Sequence, residues 1–426
     1  MKIMQFQKQI LPNGLRVLTI SMPSFQSVTV MVMVKAGSRY ETRQNNGISH
    51  FFEHMSFKGT KKRPSAMEIA SLIDGIGGEF SAFTSKETTG FYVKSSKNHI
   101  DLCLDVLSDM LQNSKLDQKE IDKERGVILE EINLYEDTPI RKIGDVYERL
   151  LYGDNSMGWD IAGGKDVIKK IQREDFIKYF ESLYSANNIT VVVAGGTDPK
   201  KAQILVEKFF RSMKRFKTIN FKKVKNSQKK PQVLVKTKKT EQTQIALGIR
   251  TVAIDHPDKY ALSVLAGILG GGMSSRLFHE VREKRGLAYY VRTHADFYED
   301  SGSLVSLAGV DSKRIDEAIE IILEEYQKIA NADSIPHSEL EKAKEYLKGH
   351  MVLELEDSRS VAGFYAQQEL LEKKIENPEK VIEEIKKIKS EDIIKVAKKY
   401  FVNANLNLAV IGDFPSGQRF ENLLKL

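Results

Sequence analysis

Gly47-Ile48-Ser49-His50-Phe51-Phe52-Glu53-His54-Met55 is the stretch from which the rest of the chain can be read. Placed on a helix, His50 and His54 lie four residues apart on one face, one turn above the other. That spacing lets two imidazoles hold one metal ion from the same side. Glu53 falls three residues after His50 and beside His54, so its carboxylate comes near the ion without serving as a ligand. Two imidazoles, one further carboxylate and a water make up the usual catalytic zinc set. The bland alternative is a half-buried helix with two satisfied histidines.

The motif sits in a chain of 426 residues, longer than one ordinary core needs, so two domains of roughly 200 residues are expected. A hydrophobic content of 41% with 29% charged residues describes a globular protein. No apolar run approaches the ~18 residues needed to cross a bilayer, which argues against a membrane span. The opening Met1-Lys2-Ile3-Met4-Gln5-Phe6 lacks the apolar core of a signal peptide. The single cysteine, Cys103, cannot form an internal disulfide, and a reducing, cytoplasmic setting is expected. The net charge of +7 raises the question of nucleic acid. Its lysines are scattered, with clusters at 58–63 and 222–239, and no aromatic interleaving or nucleic-acid motif accompanies them. They are read as a solvated surface.

Working outward from the motif helix, which opens near Asn46, strands are expected at 16–20, 28–34, 79–83, 88–94 and 188–194. Helices are expected at 65–76, 99–111, 118–135, 141–151 and 199–213. Residues 214–230 are basic, polar and poor in large apolar groups, as suits a linker. The order then repeats. Strands at 243–249, 288–297, 302–308 and 406–411 accompany helices at 257–269 and 274–284, through 312–371, and up to Tyr400. The repeat shows in residues as well. Asn188 and Asn405 precede matching apolar strands that end at Gly195 and Gly412, with an offset of 217 in both cases. Two copies of one α+β domain account for this. The boundaries are set at 1–217 for a zinc-binding domain, 218–231 for a linker and 232–426 for a second domain. Only the first copy carries the histidine motif.

A catalytic zinc needs a third protein ligand, and Glu124-Arg125-Gly126-Val127-Ile128-Leu129-Glu130-Glu131 offers candidates. Glu124 and Glu131 are two turns apart and share a face, while Glu130 points about a quarter turn away. On spacing alone all three remain ordinary solvated glutamates. Arg282 and Tyr289, seven residues apart in the second copy, likewise read as a surface arginine and a packed tyrosine.

With these stretches together, the chain resembles the M16 peptidases, an inverzincin group with the order H-x-x-E-H. The likeness is to the short-chain branch that includes bacterial zinc proteases and the mitochondrial processing peptidase. In that family a ligand glutamate follows the motif after 76 residues, with a supporting glutamate seven residues before it. Here 76 residues separate His54 from Glu131, and Glu124 precedes Glu131 by seven. The resemblance extends to Leu11–Leu15, Ala36–Glu41, Ala82–Glu87, Gly270–Leu277 and Arg282–Tyr289. It departs at Ser81, where family members commonly have Asn, and at Asn155-Ser156, where His-Pro is common. The remaining histidines, His99, His256, His279, His294, His337 and His350, lack ligand-spaced partners and are read as structural or surface groups.

The resemblance implies a zinc metalloendopeptidase with one Zn²⁺ per chain, held by His50, His54 and Glu131. It implies Glu53 as proton acceptor, Glu124 as the group that orients His54, and Arg282 with Tyr289 as the grip on substrate and developing oxyanion. Each domain would be a mainly antiparallel sheet packed with helices, and the chain would form half of a clamshell around a chamber. A homodimer would supply the other half, with the Arg/Tyr pair of one subunit completing its partner's site. Unfolded peptides would add as a strand beside Glu79, Phe80, Ser81, Ala82 and Phe83. The competing expectation is a non-catalytic or partner-dependent structural or processing subunit of such a complex. Retention of every part of the motif, together with the Arg/Tyr pair, weighs against it.

Overall fold

The computed structural model describes residues 5–426, so Met1-Lys2-Ile3-Met4 of the opening stretch lie outside the described residues. The chain forms two compact units. The first takes the described residues up to Asn133 together with Trp159–Lys222 and Leu353–Pro378. The second takes Leu134–Gly158, Lys223–Val352 and Glu379–Leu426.

The first unit is built on strands β1 (Phe6–Ile10), β2 (Arg16–Ser21), β3 (Ser27–Val34), β4 (Glu79–Thr84), β5 (Thr89–Ser96) and β6 (Ile189–Gly195). Their order across the sheet is β1-β2-β6-β3-β5-β4, with only β2 and β6 parallel. The middle strands β3 and β6 are apolar runs buried along nearly their whole length. That pattern marks strands covered on both faces. β4 instead alternates exposed and half-buried residues and has β5 as its sole neighbour.

One face of this sheet, through Val17, Val30, Val32, Val191 and Val193, packs on the helices Ile100–Asn113 and Pro199–Phe210. The opposite face meets the helix Ser358–Leu371, which buries Val361, Ala362, Tyr365, Ala366 and Leu370. Thr29 Oγ1 lies 2.8 Å from Ser358 Oγ at that contact.

The second unit contains β7 (Gln232–Thr237), β8 (Thr243–Arg250), β9 (Ala288–Phe297), β10 (Gly302–Val310) and β11 (Leu406–Gly412), in the order β7-β11-β8-β10-β9. β7 and β11 are parallel and the rest antiparallel. Strand for strand this matches the β2-β6-β3-β5-β4 portion of the first sheet, so the expected pair of α+β domains with mainly antiparallel sheets is the observed fold. The correspondence extends to the second face. Ala246, Val305, Leu307, Ala409 and Ile411 meet Ile143, Val146, Tyr147 and Leu151 of the helix Pro139–Tyr152.

Each unit therefore takes one covering helix from the other half of the sequence. Amphipathic spacing says that such a helix needs an apolar partner but not which sheet provides it.

Three local expectations differ from the structure. β7 was hidden in the lysine-rich stretch, because an edge strand with half-buried residues needs no strong apolar pattern. The helix expected over 274–284 is helical only from Arg276 and widens into a π-helix at Phe278–Glu283. The basic cluster at 58–63 is not simply solvated. Arg63 is buried, 2.7 Å from Asp109, and also pairs with Asp105.

The borrowed helix makes a prediction for the first unit. Residues 1–222 alone leave the β2-β6-β3 face uncovered, and each large side chain buried there contributes roughly 1.5–3 kcal/mol. The fragment should unfold without a cooperative thermal transition, and a peptide spanning 353–378 added in trans should restore one. A cooperative transition in the fragment alone, unchanged by the peptide, would contradict this.

Candidate metal centre

The motif helix is Ile48–Ser56, only nine residues long, and it is fixed from three directions. Its buried side, Ile48, Phe51, Phe52 and Met55, packs into the core. Phe51 stands edge-on to Phe176 at 4.9 Å between ring centroids, and Phe52 lies 4.7 Å from Tyr184. Tyr179 Oη donates to Ser49 Oγ at 2.9 Å.

The N-terminus is held by a residue that sequence reading did not single out. Glu41 Oε2 accepts from the Gly47 amide and Oε1 from the Ser49 amide, both at 2.8 Å. Asn46, expected to open the helix, instead donates its side-chain amide to Glu41 at 2.8 Å. A carboxylate on free amides at a helix start is favourable in both hydrogen bonding and dipole. Burial raises the Glu41 pKa, while the hydrogen bonds from Ser49, Gly47 and Asn46 act in the opposite sense. Gly47 has φ +98, and a Cβ there would stand 2.7 Å from the Ala162 carbonyl oxygen, so this entry to the helix requires glycine.

The remaining face carries His50, Glu53 and His54, with the two imidazole centroids 4.6 Å apart. The helix Gln118–Glu136 brings Glu131 opposite them. Glu131 Oε2 is 3.6 Å from His50 Nε2 and 3.6 Å from His54 Nε2. One ligand atom from each of these three residues lies within 4.8 Å of the others, the one such group among the described residues. Bonds of ~2.1 Å in a tetrahedron imply ligand-to-ligand edges of about 3.4 Å, so the donor set fits a zinc ion. Two neutral imidazoles and a carboxylate are also the right donors. Burial first, and then the charge of His54, push the His50 pKa down to about 4.

Around this group the hydrogen bonds are specific. Glu124 is buried, and its Oε1 lies 2.9 Å from His54 Nδ1, leaving Nε2 on the Glu131 side. Its Oε2 is 2.5 Å from Lys58 Nζ. Burial alone would raise the Glu124 pKa, but the bonds to His54 and Lys58 take it below the ordinary value. Burial likewise opposes charge on His54, and the Glu124 bond with the charges of Glu131 and Glu53 raises its pKa overall. Glu53 does not join the ligand group. Its Oε2 accepts from Thr84 Oγ1 at 2.6 Å, and burial raises its pKa. Glu130 is turned away and exposed, accepting from Asn133 at 3.2 Å.

Thr84 and Lys58 were not identified as site residues from sequence. Their partners are 31 and 66 positions away, and only the pairing of strand, helix and loop brings them together. The two stretches Ala36–Glu41 and Ala82–Glu87 dock on each other. Arg39 is buried and paired with Glu87, and its amide donates to the Lys86 carbonyl at 2.8 Å. That contact joins the loop carrying Glu41 to the loop that follows Thr84.

β4, which carries Glu79, Phe80, Ser81, Ala82 and Phe83, is a sheet edge with Glu79, Ser81 and Phe83 exposed. Arg282 and Tyr289 lie in the second unit, with the Arg282 Cζ 5.6 Å from the Tyr289 ring centroid. Of the other histidines, His256 Nδ1 accepts from the Asp258 amide at 3.0 Å and His294 faces Asp296 at 3.3 Å.

Comparison with known proteins adds findings of three kinds. Residues 16–157 match the family described as insulinase (peptidase family M16), and residues 170–347 match the peptidase M16 inactive domain. The chain is 37% identical over 408 residues to a Bacillus subtilis protein named uncharacterized zinc protease YmxG, covering 95% of this chain and 98% of that one. It is 32% identical over 418 residues to the Streptomyces coelicolor protein named uncharacterized zinc protease SCO5738, covering 97% and 90%. Among solved structures, a protease from Helicobacter pylori superposes with a TM-score of 0.90 at 25% identity, covering 96% of this chain and all of that one.

Metal binding separates the glutamates. Glu131→Ala should weaken zinc binding well beyond the ~10–100-fold expected when a partner outside the ligand set, such as Glu124, is removed. Glu130→Ala should leave it within about twofold. Equal losses in the two variants, measured by competition with a chromophoric chelator, would mean that Glu131 is not the ligand.

Proposed function

The chain belongs to the insulinase family, peptidase family M16, and from that premise we propose that it is a zinc-dependent endopeptidase that hydrolyses unfolded peptides inside an enclosed chamber. The observation that carries this is the convergence of His50, His54 and Glu131 with a separate, half-buried carboxylate, Glu53, beside them. One zinc ion per chain is held by the three ligands. When bound, it supplies Lewis acidity at the scissile carbonyl and makes water nucleophilic at neutral pH.

The chain's own groups do the rest. Glu53 takes the proton of the attacking water and returns it to the leaving amine. Burial raises its pKa above that of an ordinary glutamate, which makes the carboxylate a stronger base. Thr84, donating at 2.6 Å, fixes the orientation of that carboxylate. Glu124 accepts from His54 Nδ1 and so sets the tautomer that leaves Nε2 free for the metal. Arg282 and Tyr289 stabilise the developing oxyanion. The substrate adds as a strand beside β4, whose free edge offers backbone groups for pairing.

In this reading, 1–217 is the zinc-binding repeat, 218–231 the linker and 232–426 the repeat that carries the Arg/Tyr pair. Two chains form a clamshell, and each lends its Arg/Tyr pair to the other's zinc group. The substrate is peptide, with neither nucleic acid nor membrane as partner. Among the described residues no helix is long and apolar enough to cross a membrane. The lone Cys103 is buried, with no disulfide to maintain, which favours a cytoplasmic setting.

Glu53→Gln should retain zinc and lose turnover by about 10²–10⁴-fold, the usual worth of a positioned acid–base group. A variant that cleaves a quenched peptide at near the wild-type rate would remove Glu53 from the mechanism.

The shared site predicts complementation. Glu53→Gln and Arg282→Ala chains, each strongly impaired but with measurable residual turnover, should regain activity when mixed under conditions that allow subunit exchange. One site of each mixed dimer is then whole and the other carries both lesions, so a random mixture should recover about a quarter of the wild-type rate. No recovery, or a monomer by sedimentation at assay concentration, would refute sharing.

A further inference from the structure

The segment carrying Arg282 departs from ordinary helical geometry. Arg276 and Leu277 begin a helix that widens into the π-helix Phe278–Glu283, with the Lys284 amide donating to the His279 carbonyl at 2.9 Å. A π-turn is rare in proteins and concentrates at functional positions. The chain then reverses at Gly286, where φ is +60, and enters β9. Had the helix continued, Tyr289 would have been carried two turns away from Arg282. The reversal instead returns the Tyr289 ring to 5.6 Å from the Arg282 Cζ.

On its other side the guanidinium lies over Phe278, 4.7 Å from that ring's centroid. No hydrogen bond to the Arg282 guanidinium forms among the described residues, and Glu283 Oε1 stands 3.9 Å from its Nε. Arg282 is thus held by two aromatic faces while its N–H groups stay available. A hydrogen-bonded ion pair would fix an arginine equally well but would occupy the donors that an oxyanion needs, whereas the Glu283 pairing at 3.9 Å is too long to do so. Phe278 has its own anchor, packing partly buried against the core of the second unit.

We propose that Phe278 is a positioning residue for Arg282: its ring, half-buried against the core, fixes the guanidinium through its π face and leaves the N–H donors free for the substrate oxyanion. Tyr289 is 75% exposed and cannot by itself anchor the arginine. This deepens the proposed peptidase mechanism and rests on the part of it that assigns Arg282 to the reaction.

The test is steady-state cleavage of a quenched peptide by the full-length zinc-loaded protein. Phe278→Leu should lower kcat about fivefold, the scale of a cation–π contact at a partly exposed site, with KM within about twofold. Phe278→Tyr keeps the ring and should restore kcat to within about twofold of wild type, which a generic packing defect in Phe278→Leu would not predict. In the Arg282→Ala background, Phe278→Leu should change nothing further, because the two residues act as one unit. A wild-type kcat in Phe278→Leu, or an equal loss with and without Arg282, would overturn the proposal. An Arg282→Ala variant with normal kcat would instead overturn the assignment of Arg282 on which the proposal rests.

Discussion

The buried carboxylate of Glu41 on the amides of Gly47 and Ser49 is the interaction on which the candidate metal centre depends. A nine-residue helix is well below the length at which helices are stable alone. Two imidazoles four residues apart converge only while that helix holds its shape and register. The core fixes one side through Phe51 and Phe52, but apolar packing tolerates rotation and sliding better than a pair of directional hydrogen bonds does. Glu41 supplies those bonds, and the close approach of Gly47 to Ala162 and Gly163 fixes the entry of the chain. The interlock of Arg39 with Glu87 then ties this anchor to the loop beyond Thr84, so the carboxylate next to the ligands is oriented by the same rigid assembly.

The metal group also shows how one buried acid serves two neighbours. Glu124 has one oxygen on His54 and the other on Lys58. With Lys58 absent it would be a buried charge balanced only by an imidazole, and such a group tends to take up a proton. The pKa direction reflects this: burial pushes up, and the two partners together push further down. A carboxylate kept ionised is a fixed acceptor for Nδ1–H. Lysine at the end of the motif helix, read from sequence as one of several surface cations, is therefore part of what defines the histidine's tautomer.

What could be read in the sequence follows the range of the interaction. The histidine spacing, the two-turn relation of Glu124 to Glu131 and the largely apolar strands β3, β6 and β11 are local patterns, and local geometry was enough to place them on elements. Glu41, Thr84 and Lys58 are single polar residues in loops or at element ends, with partners distant in sequence or beyond a turn, so no periodicity marks them. β7 is masked by the flanking Lys229, Lys230, Lys238 and Lys239, and as a strand at the rim of a sheet it remains half-buried. The covering helices Pro139–Tyr152 and Ser358–Leu371 were legible as helices. Their exchange was not, since an apolar stripe records the need for a partner and not its address.

The two sheets make a further point about how duplicated architecture is used. β4 and β9 occupy the same place in the shared strand order, each at an edge and each paired with one neighbour. In the first sheet the last residue of that edge strand, Thr84, reaches Glu53. In the second, the strand begins beside Tyr289, which is folded back on Arg282. The residues near the two edges differ: the histidine motif has no counterpart in the second repeat, and the Arg/Tyr pair has none in the first. An interior strand of either sheet could not serve this way, because both of its backbone edges are consumed in the ladder and both faces are buried. A free edge offers backbone donors, exposed side chains and a rigid support together, which an interior strand does not.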